Sequence, residues 1–370
     1  MRYSRREFGK LTLAGLPAAW VAGSVPLLAR AKIDSKIKGV QIGAITYSFR
    51  GISSADDIIK AYQTIGLGEM ELMSNHAEAL AGAPSGRGGG PGGFGGGRAA
   101  GTPGGGPPGG APGAGGGGAP GAGGGGAAGG GAPGGGQGRG PGGGRAPLTP
   151  EQQAARDAAV KALHDWRMSA SEATFKPVKK KIEDAGIDLR LLCYNMNVRN
   201  TQDDEIEYAF MMAKWLGVKA ISTSTQVSMA KRTAPFADKH KIMLGFHGHA
   251  NTVDPDEVAK PESFTAVMAA SKYHGANMDI GHYTEAGYDP MPFIQEHHAR
   301  ITNLHLKDKK KATNGGGNTP WGEGDTAIKE VLKLVQKNKW DFPANIEFEY
   351  TGDPLVEIPK CLQFCKDALA

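Results

Sequence analysis

The sequence predicts a (β/α)8 barrel of the TIM type, interrupted by a disordered Gly-rich insertion. The first observation is an alternation of eight short β-like runs with helical stretches along the chain. The second is length: without an N-terminal signal and the Gly-rich segment, 273 of the 370 residues remain, and about 250 are typical of this fold. A doubly wound open sheet is the alternative, but no G-x-G-x-x-G turn follows an early strand.

The N-terminus has the pattern of a twin-arginine export signal. A basic segment, Ser4-Arg-Arg-Glu-Phe-Gly-Lys10, precedes an apolar stretch over 11–29 and the cleavage-type sequence Ala29-Arg-Ala31. A membrane anchor is the alternative, but two glycines and two prolines interrupt the apolar stretch, which disfavours a stable span. We therefore expect residues 1–31 to be a signal peptide cleaved after Ala31, and the protein to be periplasmic or otherwise exported.

Residues 82–147 consist almost entirely of Gly, Ala and Pro. Such a composition cannot bury enough apolar surface to offset its backbone entropy, so disorder is expected. The same fold continues on both sides of the segment. The sequence therefore predicts one barrel domain over residues 32–370 with a low-complexity insert at 82–147.

The formal charge of +5 comes from the two segments outside the barrel. Residues 1–31 carry a net +4 and the insert adds four arginines without an acid, which leaves −3 for the remainder. No basic surface for nucleic acid is expected from that balance. Three cysteines do not form a disulfide framework.

The predicted elements follow in order. Strands are expected at 38–46, 68–73, 188–194, 218–224, 241–247, 277–281, 301–306 and 344–350. Helices are expected after Ser53, over 150–166, 175–185, 201–216, 261–274, 292–299 and 325–338, and at the C-terminus. Their starts carry capping residues, Thr201 and Asp325 among them, and Gly217 stands as a stop.

Metal-ligand side chains stand at the ends of four consecutive strands. The pairs are His247 with His249, Asp279 with His282, His305 with Lys307, and Glu347 with Glu349. In a barrel, the C-terminal strand ends meet at one face, where the chemistry lies. Two carboxylates and imidazoles suit one divalent ion such as Mn²⁺, Co²⁺, Zn²⁺ or Mg²⁺.

The chain resembles the sugar phosphate isomerase/epimerase superfamily, the xylose-isomerase-like barrels. The resemblance rests on five segments: Ile42-Gly-Ala-Ile-Thr-Tyr-Ser-Phe49, Met278-Asp-Ile-Gly-His282, Leu304-His-Leu-Lys-Asp308, Trp321-Gly-Glu-Gly-Asp325 and Ile346-Glu-Phe-Glu349. It implies a metal bound by Glu, Asp, His and Glu from strands five to eight, and Asp279, His305 and Glu347 match three of them. The fourth position departs from the family, because His247 stands where the epimerases have a glutamate that is both ligand and acid/base.

The resemblance also implies roles for the other residues. A histidine in the place of His282 faces the substrate in relatives. Glu347 or Glu349 would move a proton on one face of the substrate, and His282 or His247 on the other. The expected substrate contacts are His249, Lys307, Glu349, Trp321 and Tyr47.

The function predicted is that of a metal-dependent sugar isomerase or epimerase that works through an enediolate. Export argues for a free sugar, keto-sugar or glycoside rather than a phosphorylated substrate. A lyase or dehydratase, which eliminates from a 3-keto-glycoside or inosose, is an alternative, and so is a non-catalytic sugar-binding barrel. A nuclease of this fold is disfavoured because the extra histidines of a three-metal cluster are missing. The sequence leaves open whether the protein forms a homo-oligomer.

Overall fold

The computed structural model describes residues 31–84 and 148–370. Eight parallel strands follow one another around a closed barrel, and the first of them pairs with the last. The strands are β1 (Lys36–Ile37), β2 (Val40–Ile45), β3 (Glu69–Met73), β4 (Asp188–Cys193), β5 (Ala220–Thr223), β6 (Met243–His247), β7 (His274–Asp279), β8 (Ile301–Leu306) and β9 (Ala344–Ile346). Strands β2 to β9 form the barrel, and β1 is a short antiparallel partner of β2. The predicted TIM barrel is confirmed.

Residues from both sides of the predicted insert build the barrel. Strands β2 and β3 precede residue 85, and β4 to β9 follow residue 147. The predictions for the signal peptide, up to residue 30, and for the insert from residue 85 onwards lie outside the described residues. Within the described part of the chain, no helix is both long and apolar enough to cross a bilayer.

Helices surround the barrel. They are α1 (Ala55–Ile65), α2 (Ser74–Leu80), α3 (Pro150–Ser169), α4 (Glu172–Asp184), α5 (Asp203–Leu216), α6 (Met229–His240), α7 (Pro261–Ala269), α8 (Ile280–Glu285), α9 (Pro290–His297), α10 (Ile328–Asn338) and α11 (Pro354–Leu369). Local sequence signals explain where several of these helices begin or end. The Thr149 side chain caps α3 and Pro150 takes its first position, while Gly217 ends α5 with a positive φ of 68°.

Several element ends differ from the sequence-based expectation. Helix α6 was not predicted, because Pro235 lies inside it and no side chain caps its start. The expected helix through His274 stops at Ala269, and His274 instead begins β7. Asp325 does not cap a helix; its carboxylate accepts a hydrogen bond from the Lys311 backbone at 2.8 Å. The N-caps of α1 and α5, predicted at Ser53 and Thr201, lie one residue further along the chain, at Ser54 and Gln202.

The two faces of the barrel strands have opposite character. The residues directly before three predicted ligands, Met278, Leu304 and Ile346, are fully buried. Because side chains alternate along a strand, they lie on the outer face of the barrel, towards the helices. The alternate positions point into the barrel and are polar. Three buried asparagines each stand two residues before a predicted ligand: Asn277, Asn303 and Asn345. The interior therefore carries a polar layer directly beneath the predicted site.

Candidate metal centre

Four predicted ligands converge at the C-terminal end of the barrel. They are His247, Asp279, His305 and Glu347, all buried, and one ligand atom from each lies within 4.8 Å of the others. His247 and Asp279 end β6 and β7, His305 is the next-to-last residue of β8, and Glu347 follows β9; these four strands are neighbours in the barrel. The convergence thus follows from strand order, since parallel strands present their ends at the same face.

The spacing and chemistry of these atoms fit a divalent cation. His247 Nε2 lies 3.8 Å from Asp279 Oδ2, beyond hydrogen-bond distance. Among the described residues, His247 Nδ1 and Asp279 Oδ2 have no hydrogen-bond partner although both are buried. Two imidazole nitrogens and two carboxylate oxygens are a donor set that zinc, cobalt or manganese accepts. These four residues can therefore hold one metal ion.

The ammonium group of Lys307 lies against the same carboxylates. Its Nζ is 3.1 Å from Asp279 Oδ2, 2.9 Å from Glu347 Oε2 and 2.7 Å from Glu349 Oε2. The contact with Asp279 is an ion pair between buried side chains. Lys307 thus neutralises the anionic side of the cluster, including two of the ligand oxygens.

The ionisation of the cluster depends on charged neighbours that outweigh burial. Burial alone would lower the pKa of His305, but the carboxylates of Glu71 and Glu347 raise it well above its usual value. Burial would likewise raise the pKa of Glu347, yet Lys307 and His305 hold it well below its usual range. For His247, by contrast, burial is the dominant effect, and it lowers the pKa of the imidazole well below its ordinary value. His247 is therefore a neutral imidazole near pH 7, which is the form that binds metals.

Two further histidines stand beside the cluster. The His249 ring lies 4.9 Å from that of His247 and 5.5 Å from that of His282, measured between centroids. His249 Nδ1 is 2.5 Å from Glu257 Oε1. Burial, followed by the charge of Lys307, lowers the pKa of His282 to about 4. His282 is thus a neutral group next to the metal position, and its backbone N–H donates to Asp279 Oδ1 at 2.7 Å.

Tyr47 and Trp321, which were also predicted as substrate contacts, lie in different parts of the molecule. Tyr47 is half-buried near Glu349, and its pKa rises through burial and then through the charge of that carboxylate. Arg50 lies over the Tyr47 ring, 5.2 Å from its centroid. Trp321 packs edge-on against Phe364 of α11, with 5.7 Å between centroids. Its described ring contact thus points to the helix layer rather than to the metal cluster.

Two interior carboxylates at the cluster were not predicted as site residues. Glu71 of β3 accepts a hydrogen bond from His305 Nε2 at 2.7 Å, and Glu69 lies two residues earlier on the same strand. The segment Glu69-Met-Glu-Leu-Met73 alternates charged and apolar residues, which predicts a strand with one polar face. Because helices cover the outer face of a barrel, the polar face of that strand must point inward. That step would have placed both carboxylates under the site.

Comparison with known proteins agrees with this architecture. Residues 153–368 match the family model described as xylose isomerase-like TIM barrel. No curated protein is significantly similar to the chain.

Solved structures share the fold at low identity. The probable 3-DHS dehydratase AsbF of petrobactin synthesis from Bacillus anthracis is 14% identical, with a TM-score of 0.52 over 89% of this chain and 98% of that one. A sugar phosphate isomerase/epimerase from Parabacteroides distasonis is 13% identical, with a TM-score of 0.51 over 92% and 99%. The IOLI protein, solved with a binding zinc atom, is 10% identical, with a TM-score of 0.51 over 89% and 96%. With more than half of its length matched by the family model, this chain belongs to the xylose isomerase-like TIM barrel family.

Proposed function

We propose that the protein is a metal-dependent sugar isomerase or epimerase that moves a proton at a carbon next to a carbonyl. The observation that carries this proposal is the buried quartet of His247, Asp279, His305 and Glu347, whose ligand atoms lie within 4.8 Å of one another. A divalent ion held there would supply Lewis-acid stabilisation of negative charge on the substrate oxygens. We assign all four side chains as its ligands.

The proton transfers fall to groups around the quartet. Glu347 would take or give a proton on one side of the substrate, and neutral His282 on the other. His247 is the alternative to His282 on that side where its imidazole is not bound to the metal. Lys307 carries a proton 2.7 Å from Glu349 and 2.9 Å from Glu347, so it can donate to a substrate oxygen or recharge either carboxylate. His249 and Tyr47 would then contact the hydroxyl groups of the sugar.

The charges around the cluster favour a substrate without a phosphate group. Lys307 is already paired with three carboxylates. Lys309 lies 2.7 Å from Glu285, and Arg50 donates to the Phe348 carbonyl. A phosphate dianion needs uncommitted cationic donors. A free sugar, keto-sugar or glycoside therefore suits this site better.

A lyase or dehydratase is the second candidate, and His247 favours it. Epimerisation by two opposed carboxylates requires a carboxylate in the place of His247. Elimination requires only one base for the C–H bond and one acid for the leaving group, which Glu347 and Lys307 can provide. The names of the similar structures include both an isomerase/epimerase and a dehydratase, so the fold does not choose between them.

We further propose export through the twin-arginine route, on the strength of the N-terminal sequence alone. Replacement of Arg5 and Arg6 by lysine should retain the protein in the cytoplasm. Processing by way of the general secretory route in that variant would contradict the proposal.

The experiment that tests the activity uses proton exchange rather than product detection. Purified protein is analysed for bound metal and then incubated in D2O with free ketoses, keto-glycosides and inososes. Deuterium incorporation next to the carbonyl, seen by NMR, is expected for an isomerase or epimerase, whereas a new alkene signal identifies the lyase. Asp279→Asn serves as the control without metal. Sugar binding with neither exchange nor an alkene signal would make the protein a non-catalytic sugar-binding barrel.

A further inference from the structure

Glu71 lies at the centre of a hydrogen-bond network beneath the metal centre. Its Oε2 is 2.7 Å from His305 Nε2, 2.9 Å from Asn303 Nδ2 and 3.0 Å from Asn345 Nδ2. Ser222 Oγ donates to the other oxygen. Every group in this network is buried. The carboxylate therefore joins four strands across the barrel interior.

The amide partners of Glu71 determine how His305 is protonated. Asn303 and Asn345 can only donate through Nδ2, so Glu71 Oε2 is an acceptor in both hydrogen bonds. An ionised Glu71 carboxylate has no hydrogen to give, so His305 Nε2 donates to it; Asn277 Nδ2, 3.3 Å from the same nitrogen, offers that hydrogen no acceptor. The other ring nitrogen, Nδ1, faces Glu347 Oε2 at 2.9 Å. Nδ1 is therefore the nitrogen of His305 that looks into the metal cluster.

We propose that Glu71 is a positioning residue. It fixes the ring of His305 with its Nε2–H towards Glu71 and its Nδ1 towards the metal. The inference rests on the proposed function, because it requires that the quartet bind a metal. Carboxylates that hold the outer N–H of a ligating histidine orient the ring and typically change metal affinity by about 10- to 100-fold. Glu71 reaches the metal only through His305 and touches no substrate.

Glu69 provides a matched control. It lies on the same strand, its side chain also points inward, and it is fully buried. Neither of its carboxylate oxygens has a hydrogen-bond partner among the described residues, so it does not hold His305. Replacement of Glu69 removes a buried carboxyl group from the same strand without removing the contact to the ligand.

The test compares zinc affinity in four proteins: wild type, Glu71→Met, Glu71→Gln and Glu69→Met. We expect Glu71→Met to bind Zn²⁺ about 10- to 100-fold more weakly. Glu71→Gln keeps an acceptor oxygen for His305 and should recover part of that loss. Glu69→Met should stay within about twofold of wild type. Equal affinities for Glu71→Met and Glu69→Met would overturn the proposal.

A measurement on the wild-type protein tests the orientation of the His305 ring even if Glu71→Met does not fold. Long-range ¹H–¹⁵N spectra of the zinc-loaded protein, with ¹⁵N-labelled histidine, identify the metal-bound nitrogen of each ring. Metal on Nδ1 of His305 and a slowly exchanging Nε2–H are expected. Metal on Nε2 would overturn the positioning role but leave the metal site intact. Failure of the wild type to bind zinc, manganese or cobalt would instead contradict the proposed function, and this inference with it.

Discussion

His247 Nε2 and Asp279 Oδ2 lie 3.8 Å apart at the ends of the neighbouring strands β6 and β7. Both atoms are buried, and the separation exceeds a hydrogen bond. Asp279 uses its other oxygen, Oδ1, to accept the His282 backbone N–H at 2.7 Å at the start of α8. The two oxygens of Asp279 thus have separate tasks: one caps a helix and the other faces the cluster.

This division allows metal binding and helix capping to be separated by mutation. Asp279→Asn keeps a carbonyl oxygen for the cap but removes the second carboxylate oxygen. We expect it to lose metal binding and turnover and, because the buried ion pair with Lys307 is weakened, some stability of the metal-free protein. Asp279→Ala should also lose metal binding, and it should be about 1 kcal/mol less stable than Asp279→Asn because the cap is missing as well.

His305→Ala provides an independent check of the same site. It should also abolish metal binding and turnover while the fold survives. Isothermal titration with Zn²⁺ and urea unfolding measure the two effects. Turnover that persists in any of these variants after metal removal would contradict a metal-dependent reaction.

Lys307 and a bound cation neutralise the same oxygens, so their contributions to stability should compensate each other. The ammonium lies 3.1 Å from Asp279 Oδ2 and 2.9 Å from Glu347 Oε2. Removing one partner of a buried ion pair costs about 3–5 kcal/mol. We expect Lys307→Met to lose about that much in EDTA and distinctly less in Zn²⁺, as measured by chemical unfolding.

Lys309→Met is the control for that prediction. Lys309 is also buried and pairs with Glu285 at 2.7 Å, and neither residue belongs to the metal quartet. Its loss of stability should therefore be the same in EDTA and in Zn²⁺. A zinc-independent penalty for Lys307→Met would show that lysine and metal do not share these carboxylates.

The quartet could be predicted from the sequence because each ligand stands at the visible end of an apolar run. His247, Asp279, His305 and Glu347 required only the strand order and the rule that parallel strand ends share a face. Lys307 was placed beside them by its spacing of two residues from His305. Its pairing with three carboxylates required the packed structure.

The partner of His305 could not be predicted in this way. Glu71 precedes His305 by 234 residues, and nothing in either segment specifies the contact. It arises because the barrel closes through the pairing of β2 with β9, which brings β3 and β8 near each other, and both strands point side chains into the interior. Helix α6 was missed for a local reason, since Pro235 and an uncapped start hide it.

A double-mutant cycle can test the close packing beneath the site. Gly43 leaves room for Glu69: a Cβ at position 43 would lie 1.6 Å from Glu69 Oε2 and 2.9 Å from Asn345 Oδ1. Gly43→Ala should therefore destabilise the protein by about 1–3 kcal/mol. Glu69→Ala in the same chain should recover part of the loss, with a coupling of about 0.5–3 kcal/mol.

Gly51→Ala is the control for that cycle, because a Cβ at position 51 would have no atom within 4 Å. It should change the free energy of unfolding by less than about 0.5 kcal/mol. Strict additivity of Gly43→Ala and Glu69→Ala would show that the two side chains do not compete for this space.

His76 predicts how stability depends on pH. It is buried at the start of the chain's second described helix, α2, where its Nδ1 lies 2.9 Å from Thr46 Oγ1. Burial lowers the pKa of His76 to about 4, against 6.5 ordinarily. Between those pH values the folded state keeps the ring neutral while the unfolded state binds a proton, so stability falls as the pH decreases through this window.

The expected contribution of His76 is about 3 kcal/mol, lost progressively between pH 6.5 and pH 4. His76→Gln removes the titrating ring, so the wild type should lose more stability than the variant over that range. Urea unfolding of both proteins in EDTA, at several pH values from 7 to 4, measures the difference. Parallel stability curves for the two proteins would contradict a neutral His76 in the folded state, because a ring that titrates alike in both states contributes no slope.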